Sequence, residues 1–120
     1  MKSALVVDDS SYMRTILKMI LVDYDCTEIY EADNGETAVA AYKAHSPDIV
    51  FMDILMEKMY GIEALRQIIE YDKDAKVIMV SSIIGQDPIA EEAKALGALG
   101  FLSKPVDEKH VAEIIGRIMF

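Results

Sequence analysis

The sequence predicts an α/β protein in which five strand–helix units follow one another and fold into one parallel sheet with helices on both faces. Three observations carry this. Apolar runs of strand length recur five times between turn residues, and the segments between them have helical spacing. The runs are also continuously apolar, as strands covered on both faces need to be. At 120 residues the chain is one domain, residues 1–120, long enough to bury most of its apolar surface.

The first run is "ALVV" (4–7), followed by Met13, Ile16, Leu17 and Ile20 at i, i+3, i+4, i+7, which predicts a helix. "TEIYEA" (27–32) leads into a helix from Gly35 to His45, and "DIVFM" (48–52) into one from Gly61 to Tyr71. After "KVIMV" (76–80), Asp87 as N-cap and Pro88 at the first helical position open a helix to Leu96, which Gly97 closes. "LGFL" (99–102) is the fifth strand, and Val111, Ile114, Ile115 and Ile118 mark the last helix.

Composition narrows the function. Apolar residues make up 52% of the chain, its apolar runs are too short to span a bilayer, and no signal-peptide pattern is present, so a soluble cytoplasmic protein without a membrane role is expected. Cys26 is the single cysteine; it is expected to be a half-buried thiol and leaves no disulfide or paired-cysteine metal site. A formal charge of −9 without a basic cluster disfavours nucleic acid as a partner. The same sign attracts divalent cations wherever carboxylates converge.

Parallel sheets bind ligands beyond the carboxyl ends of their strands. Here "LVVDDS" ends the first strand in Asp8 and Asp9, "VFMDIL" ends the third in Asp53, "IMVSS" the fourth in Ser81, and Lys104–Pro105 follows the fifth. Capping the first helix needs one acid, so a second beside it adds repulsion without capping return. Asp53 lies too far from Gly61 to cap the third helix. Carboxylates gathered at one sheet edge raise one another's pKa unless a cation neutralises them, and Mg²⁺ prefers such oxygen ligands. Lys104 and Ser81 add an ammonium and a hydroxyl suited to phosphoryl oxygens, which leaves one carboxylate free as a nucleophile.

"VVDDS", "MDILM…G", "VSS" and "KP" at these strand ends resemble the receiver domain of two-component response regulators, and within it the stand-alone CheY-like chemotaxis regulators. The resemblance covers the whole chain and implies a flavodoxin-like fold with strand order 2-1-3-4-5. It also implies a phosphoprotein in which Asp53 is the phosphoacceptor, Asp9 a direct ligand of Mg²⁺ (or Mn²⁺), Asp8 an acid holding the metal through water, and the Leu55 backbone carbonyl a further ligand. Ser81 is then the switch hydroxyl, Lys104 its counter-charge, Phe101 an aromatic that swings inward, and Leu55 and Ile83 flank the path of a hydrolytic water. The Lys104–Pro105 bond is implied to be cis. On its own, Phe101 reads as plain core.

The partners so implied are a histidine kinase as phosphodonor, an output protein such as a motor or adaptor component, and a phosphatase, with the chain itself a monomer that is no enzyme beyond its own phosphorylation and slow dephosphorylation. With the chain ending at Phe120 after its fifth helix, protein binding is the expected output. A phosphate sink or relay receiver of another pathway is the alternative. A small Mg²⁺-dependent phosphohydrolase is disfavoured by size, and a flavin carrier by Asp8 and Asp9, which repel a phosphate. The loop "DILMEKMYG" departs from the family pattern, with Glu57 where proline is usual and Tyr60 where an acid often precedes the glycine, and Ser82 replaces a usual alanine. His45 and His110 are expected on the surface, the methionines in the core or its rim, and Tyr12 is left undecided.

Overall fold

The structure, a computed structural model, describes residues 2–56, 59–82 and 88–119. Ten elements alternate as predicted: β1 (Ser3–Val7), α1 (Ser11–Val22), β2 (Glu28–Ala32), α2 (Gly35–His45), β3 (Ile49–Asp53), α3 (Gly61–Tyr71), β4 (Val77–Ser81), α4 (Pro88–Leu96), β5 (Gly100–Ser103) and α5 (Glu108–Met119). The five strands are parallel in the order β2-β1-β3-β4-β5. This is the flavodoxin-like order. The chain runs outward from β1 to β2 and then crosses to β3 on the other side, so strand order reverses between β1 and β3.

Alternate residues of each central strand feed two cores. Leu5, Val7, Val50, Met52, Val77 and Met79 face α2, α3 and α4; Ala4, Val6, Ile49, Phe51, Ile78 and Val80 face α1 and α5. β1, β3 and β4 are buried along their whole length, which explains their unbroken apolar runs. The expectation of continuous burial fails at the two edges. In β2, Glu28 and Glu31 are exposed, and in β5 Ser103 is exposed, because an edge strand has sheet on one side only. Burial of each large side chain such as Phe51 or Leu65 contributes about 1.5–3 kcal/mol.

Local chemistry fixes the ends. Neither Asp8 nor Asp9 caps α1: Ser10 does, its hydroxyl accepting the Met13 N–H. Asn34 caps α2 through the Thr37 N–H, and Asp107 accepts the His110 N–H in the first turn of α5. Gly97, at φ +118°, ends α4, with its own N–H donating to Lys94 and that of Ala98 to Ala93, a Schellman closure. Asp87, expected as the cap of α4, lies outside the described residues. The Lys104–Pro105 bond is cis.

α3 starts without a side-chain cap; instead the Gly61 N–H donates to the Ile54 carbonyl at 2.8 Å, docking the helix onto the end of β3. A Cβ on Gly61 would stand 2.0 Å from the Asp53 carbonyl oxygen. Glycine is therefore needed for close approach of backbone to backbone. His45 and His110 are exposed as expected, His45 stacked on Tyr30 at 3.9 Å. Met52, Met56 and Met79 are core, whereas Met19 is exposed; Tyr12 is exposed too, and Cys26 is fully buried where half-burial was expected. Among the described residues no helix is long and apolar enough to cross a membrane.

Two glycine substitutions should move stability in opposite directions. Gly61→Ala, which drives a methyl into the β3 backbone, should destabilise by on the order of 2 kcal/mol or more. Gly116→Ala, in the exposed middle of α5 where nothing lies within 4 Å of the new Cβ, should stabilise by about 0.5–1 kcal/mol. Urea denaturation of both variants checks the pair, and equal midpoints would refute the packing argument.

Candidate functional site

The reversal of strand order sets the carboxyl ends of β1 and β3 side by side, and with them Asp8, Asp9 and Asp53. One carboxylate oxygen from each lies within 4.8 Å of the others. Asp8 and Asp53 are buried at 1% and 4% exposure, while Asp9 is exposed. Lys104, half-buried just beyond β5, reaches back across β4: its ammonium lies 3.0 Å from Asp8 Oδ2 and 3.2 Å from Asp53 Oδ2. Three carboxylates around one ammonium leave two negative charges uncompensated.

The titration of Asp53 reflects its burial together with this imbalance. Burial first, then the neighbouring Asp8, push its pKa up to about 6, against the opposing pull of Lys104. Burial works against the charge of Lys104, but hydrogen bonding to Asp8 and the charges of Asp53 and Asp8 outweigh it and hold the ammonium's pKa above its ordinary value. The remaining polar groups are tied in by backbone. Asp8 Oδ1 accepts the Ser10 N–H at 2.9 Å, and the Lys104 N–H donates to the Ser81 carbonyl at 2.9 Å, linking the ends of β4 and β5. Ser81 itself is buried, and Asp53 stands in register with Val80 beside it.

Sequence-predicted residues therefore fall into three groups. Asp8, Asp9, Asp53 and Lys104 are drawn together by direct contacts or near approach, with Ser81 adjoining through the Lys104 backbone. Leu55 is at the rim, half its surface in solvent, and Phe101 is half-buried on β5, packed against the core with Lys94 Nζ 5.8 Å from its ring centre. Ile83, like Glu57 and Lys58, lies outside the described residues. Arg14 was missed by sequence reasoning, although its guanidinium donates to the Asp8 carbonyl at 2.6 Å. A lone arginine in a helix gives no local signal of such a contact.

The family model described as the response regulator receiver domain matches residues 4–116. The chain belongs to the response regulator receiver family. It is 43% identical over 115 residues to the chemotaxis protein CheY of Bacillus subtilis, which covers 96% of this chain and 95% of that one. Against CheY of Thermotoga maritima the identity is 41% over 117 residues, with 98% and 97% covered. Among solved structures it superimposes on the CheX–CheY–BeF3–Mg²⁺ complex of Borrelia burgdorferi with a TM-score of 0.92 and 36% identity, covering 99% of this chain and 90% of that one. The chain is thus a receiver domain of CheY type, a class of signalling proteins rather than classical enzymes, and two-component signalling in chemotaxis is consistent with it. The acidic pocket of this receiver offers hard oxygen donors with excess negative charge, so a divalent cation such as Mg²⁺ fits its donor set.

The charge imbalance has a measurable consequence for stability. A carboxylate whose folded pKa is raised destabilises the fold when ionised; the penalty is complete above about pH 6 and disappears as pH falls from there toward the ordinary value of 3.8. Asp53→Asn, which keeps an oxygen for Lys104, should therefore stabilise the metal-free receiver by on the order of 2 kcal/mol above neutrality. The gap should close near pH 4. Thermal melts in chelator across this range check it, and equal stability at pH 8 would show that Lys104 already neutralises the pocket.

Proposed function

We propose that this receiver is a single-domain response regulator that takes a phosphoryl group on Asp53 from a phosphohistidine kinase and signals by binding a protein target, in chemotaxis. The observation carrying this is the sharing of the Lys104 ammonium between two buried carboxylates, Asp8 and Asp53, with Asp9 adjoining in the open. In the transfer, an Asp53 oxygen attacks phosphorus, the phosphorus–nitrogen bond of phosphohistidine breaks, and the imidazole leaves and takes up a proton. Lys104 offsets charge on the phosphoryl oxygens and the Ser81 hydroxyl donates to one of them. Asp8, Asp9, Asp53 and the Leu55 carbonyl would hold Mg²⁺ or Mn²⁺, which would supply the positive charge that lets anionic donor and acceptor approach.

Once Asp53 carries phosphate, the Ser81 hydroxyl moves toward it and Phe101 turns inward, changing the face that a motor or adaptor component binds. Half-burial of Phe101 supports this, since a fully packed ring would have no room to turn. A partner acting on the phosphorylated form finds support in the Borrelia CheY, which was solved with CheX, BeF3 and Mg²⁺. Acetyl phosphate should label the protein once, on Asp53, and only with Mg²⁺ or Mn²⁺ present. Mass spectrometry reads the added phosphate; labelling that survives in Asp53→Asn or in excess chelator sinks the proposal.

The lifetime of that phosphate follows from Leu55, whose side chain stands half-exposed two residues beyond Asp53. An apolar group there can neither orient nor deprotonate a water in line with phosphorus. Leu55→Asn should speed loss of phosphate from purified protein by on the order of ten-fold or more through such positioning, with uptake little changed because the metal-binding carbonyl is backbone. Identical decay in wild type and Leu55→Asn would place control of the water elsewhere.

A further inference from the structure

We infer that Arg14 is a positioning residue for the divalent-cation site: a guanidinium clamp, anchored on Glu31, that fixes the peptide carrying Asp9 and so sets cation affinity. The inference rests on the reading of Asp8, Asp9 and Asp53 as the cation's carboxylates.

Arg14 lies in the first turn of α1, where its Nη1 donates to the main-chain carbonyl of Asp8 at 2.6 Å and its Nε to Glu31 Oε1 at 3.0 Å. Glu31 is itself held from the other side by Lys18 Nζ at 3.0 Å on Oε2. Because Glu31 stands in register with Val6 of β1, two residues before Asp8, the anchor belongs to the sheet and not to the loop. The guanidinium serves the two acceptors from two different nitrogens held in one plane, Nη1 for the carbonyl and Nε for the carboxylate.

The consequence runs through Asp8. Its N–H donates to Ala32 on β2 at 3.1 Å, its Oδ1 accepts from the Ser10 N–H and its Oδ2 from Lys104, and its carbonyl accepts from Arg14. That carbonyl is one half of the Asp8–Asp9 peptide plane, so holding it fixes the direction in which the next residue leaves the strand. Asp8 is aimed by its own buried contacts, whereas the exposed Asp9 takes its aim from this peptide. Without the clamp, the plane can rotate and Asp9 must be ordered each time a cation binds.

Charge and position predict opposite outcomes here. Arg14 and Lys18 together outweigh Glu31 by one positive charge, which by Coulomb's law alone repels a cation from the neighbouring acids. Removing the Arg14 charge would then tighten binding. If Arg14 acts by position, removing it weakens binding in spite of the lost repulsion.

The test is a titration of metal-free protein with Mn²⁺, following the electron paramagnetic resonance signal of the free ion and competing it with Mg²⁺. Arg14→Gln should weaken affinity on the order of ten-fold, as loss of a ligand-orienting partner does. Arg14→Lys, the milder change, should weaken it similarly, because it keeps the charge but replaces the two fixed nitrogens that hold Glu31 and the Asp8 carbonyl with a single flexible ammonium. Thermal melts without metal show that each variant is folded. Tighter binding in Arg14→Gln, or wild-type affinity in Arg14→Lys, overturns the inference. Asp9→Asn run alongside separates the two levels: if it binds Mn²⁺ as wild type does, the carboxylate site itself is wrong, whereas its loss together with unchanged Arg14 variants overturns the clamp alone.

Discussion

Burying two carboxylates next to each other is unfavourable, and the way this fold meets that cost organises everything around it. Asp8 and Asp53 end adjacent strands in the middle of the sheet, where water is largely excluded. A single ammonium from Lys104 reaches both, and it can do so because β5 sits two strands from β3 and the Lys104 backbone is bonded to Ser81 on the strand between. Neutralisation is incomplete, and burial together with the neighbouring Asp8 raises the pKa of Asp53. The fold thus keeps a pocket that is one divalent cation short of balance, which suits the metal-dependent phosphorylation proposed above.

That pocket needs a rigid frame, and the frame comes from the two apolar layers. β1, β3 and β4 are buried from end to end between α1 and α5 on one face and α2, α3 and α4 on the other. Their carboxyl ends therefore cannot drift apart without opening both cores. α3 is docked even more closely: Gly61 bonds to the Ile54 carbonyl directly behind the proposed acceptor, in space that any side chain would fill. The absence of a side chain there couples the start of α3 to the position of Asp53. Rigidity is concentrated beneath the site, while Asp9, Leu55 and Tyr60 at its rim face solvent.

The edges of the sheet follow other rules. β2 turns Glu28 and Glu31 outward, and both are held by cations, Lys2 for the first and Arg14 with Lys18 for the second. Surface pairs of this kind contribute little to stability, 0–1 kcal/mol each as a rough guide. Their value lies in geometry instead, since the Glu31 cluster carries Arg14 to the Asp8 carbonyl. An interaction that is weak in energy can still decide where a backbone oxygen is held.

Much of this was legible in the sequence because it depends on near neighbours. Helical spacing and apolar runs bounded by turn residues located all ten elements, Gly97 marked a helix end that a left-handed residue must close, and two adjacent acids where one suffices singled out the first loop. The family resemblance added the strand order, which periodicity does not encode: the same five units could pair in other orders with the same local pattern. What only the tertiary structure decided are contacts between different elements. They include Lys104 with Asp8 and Asp53, Arg14 bridging Asp8 and Glu31, and the approach of Gly61 to the Asp53 carbonyl. Local spacing fixes which face a side chain takes on its own element, but the partner it meets is set by which strands lie side by side, and that is a property of the packed sheet.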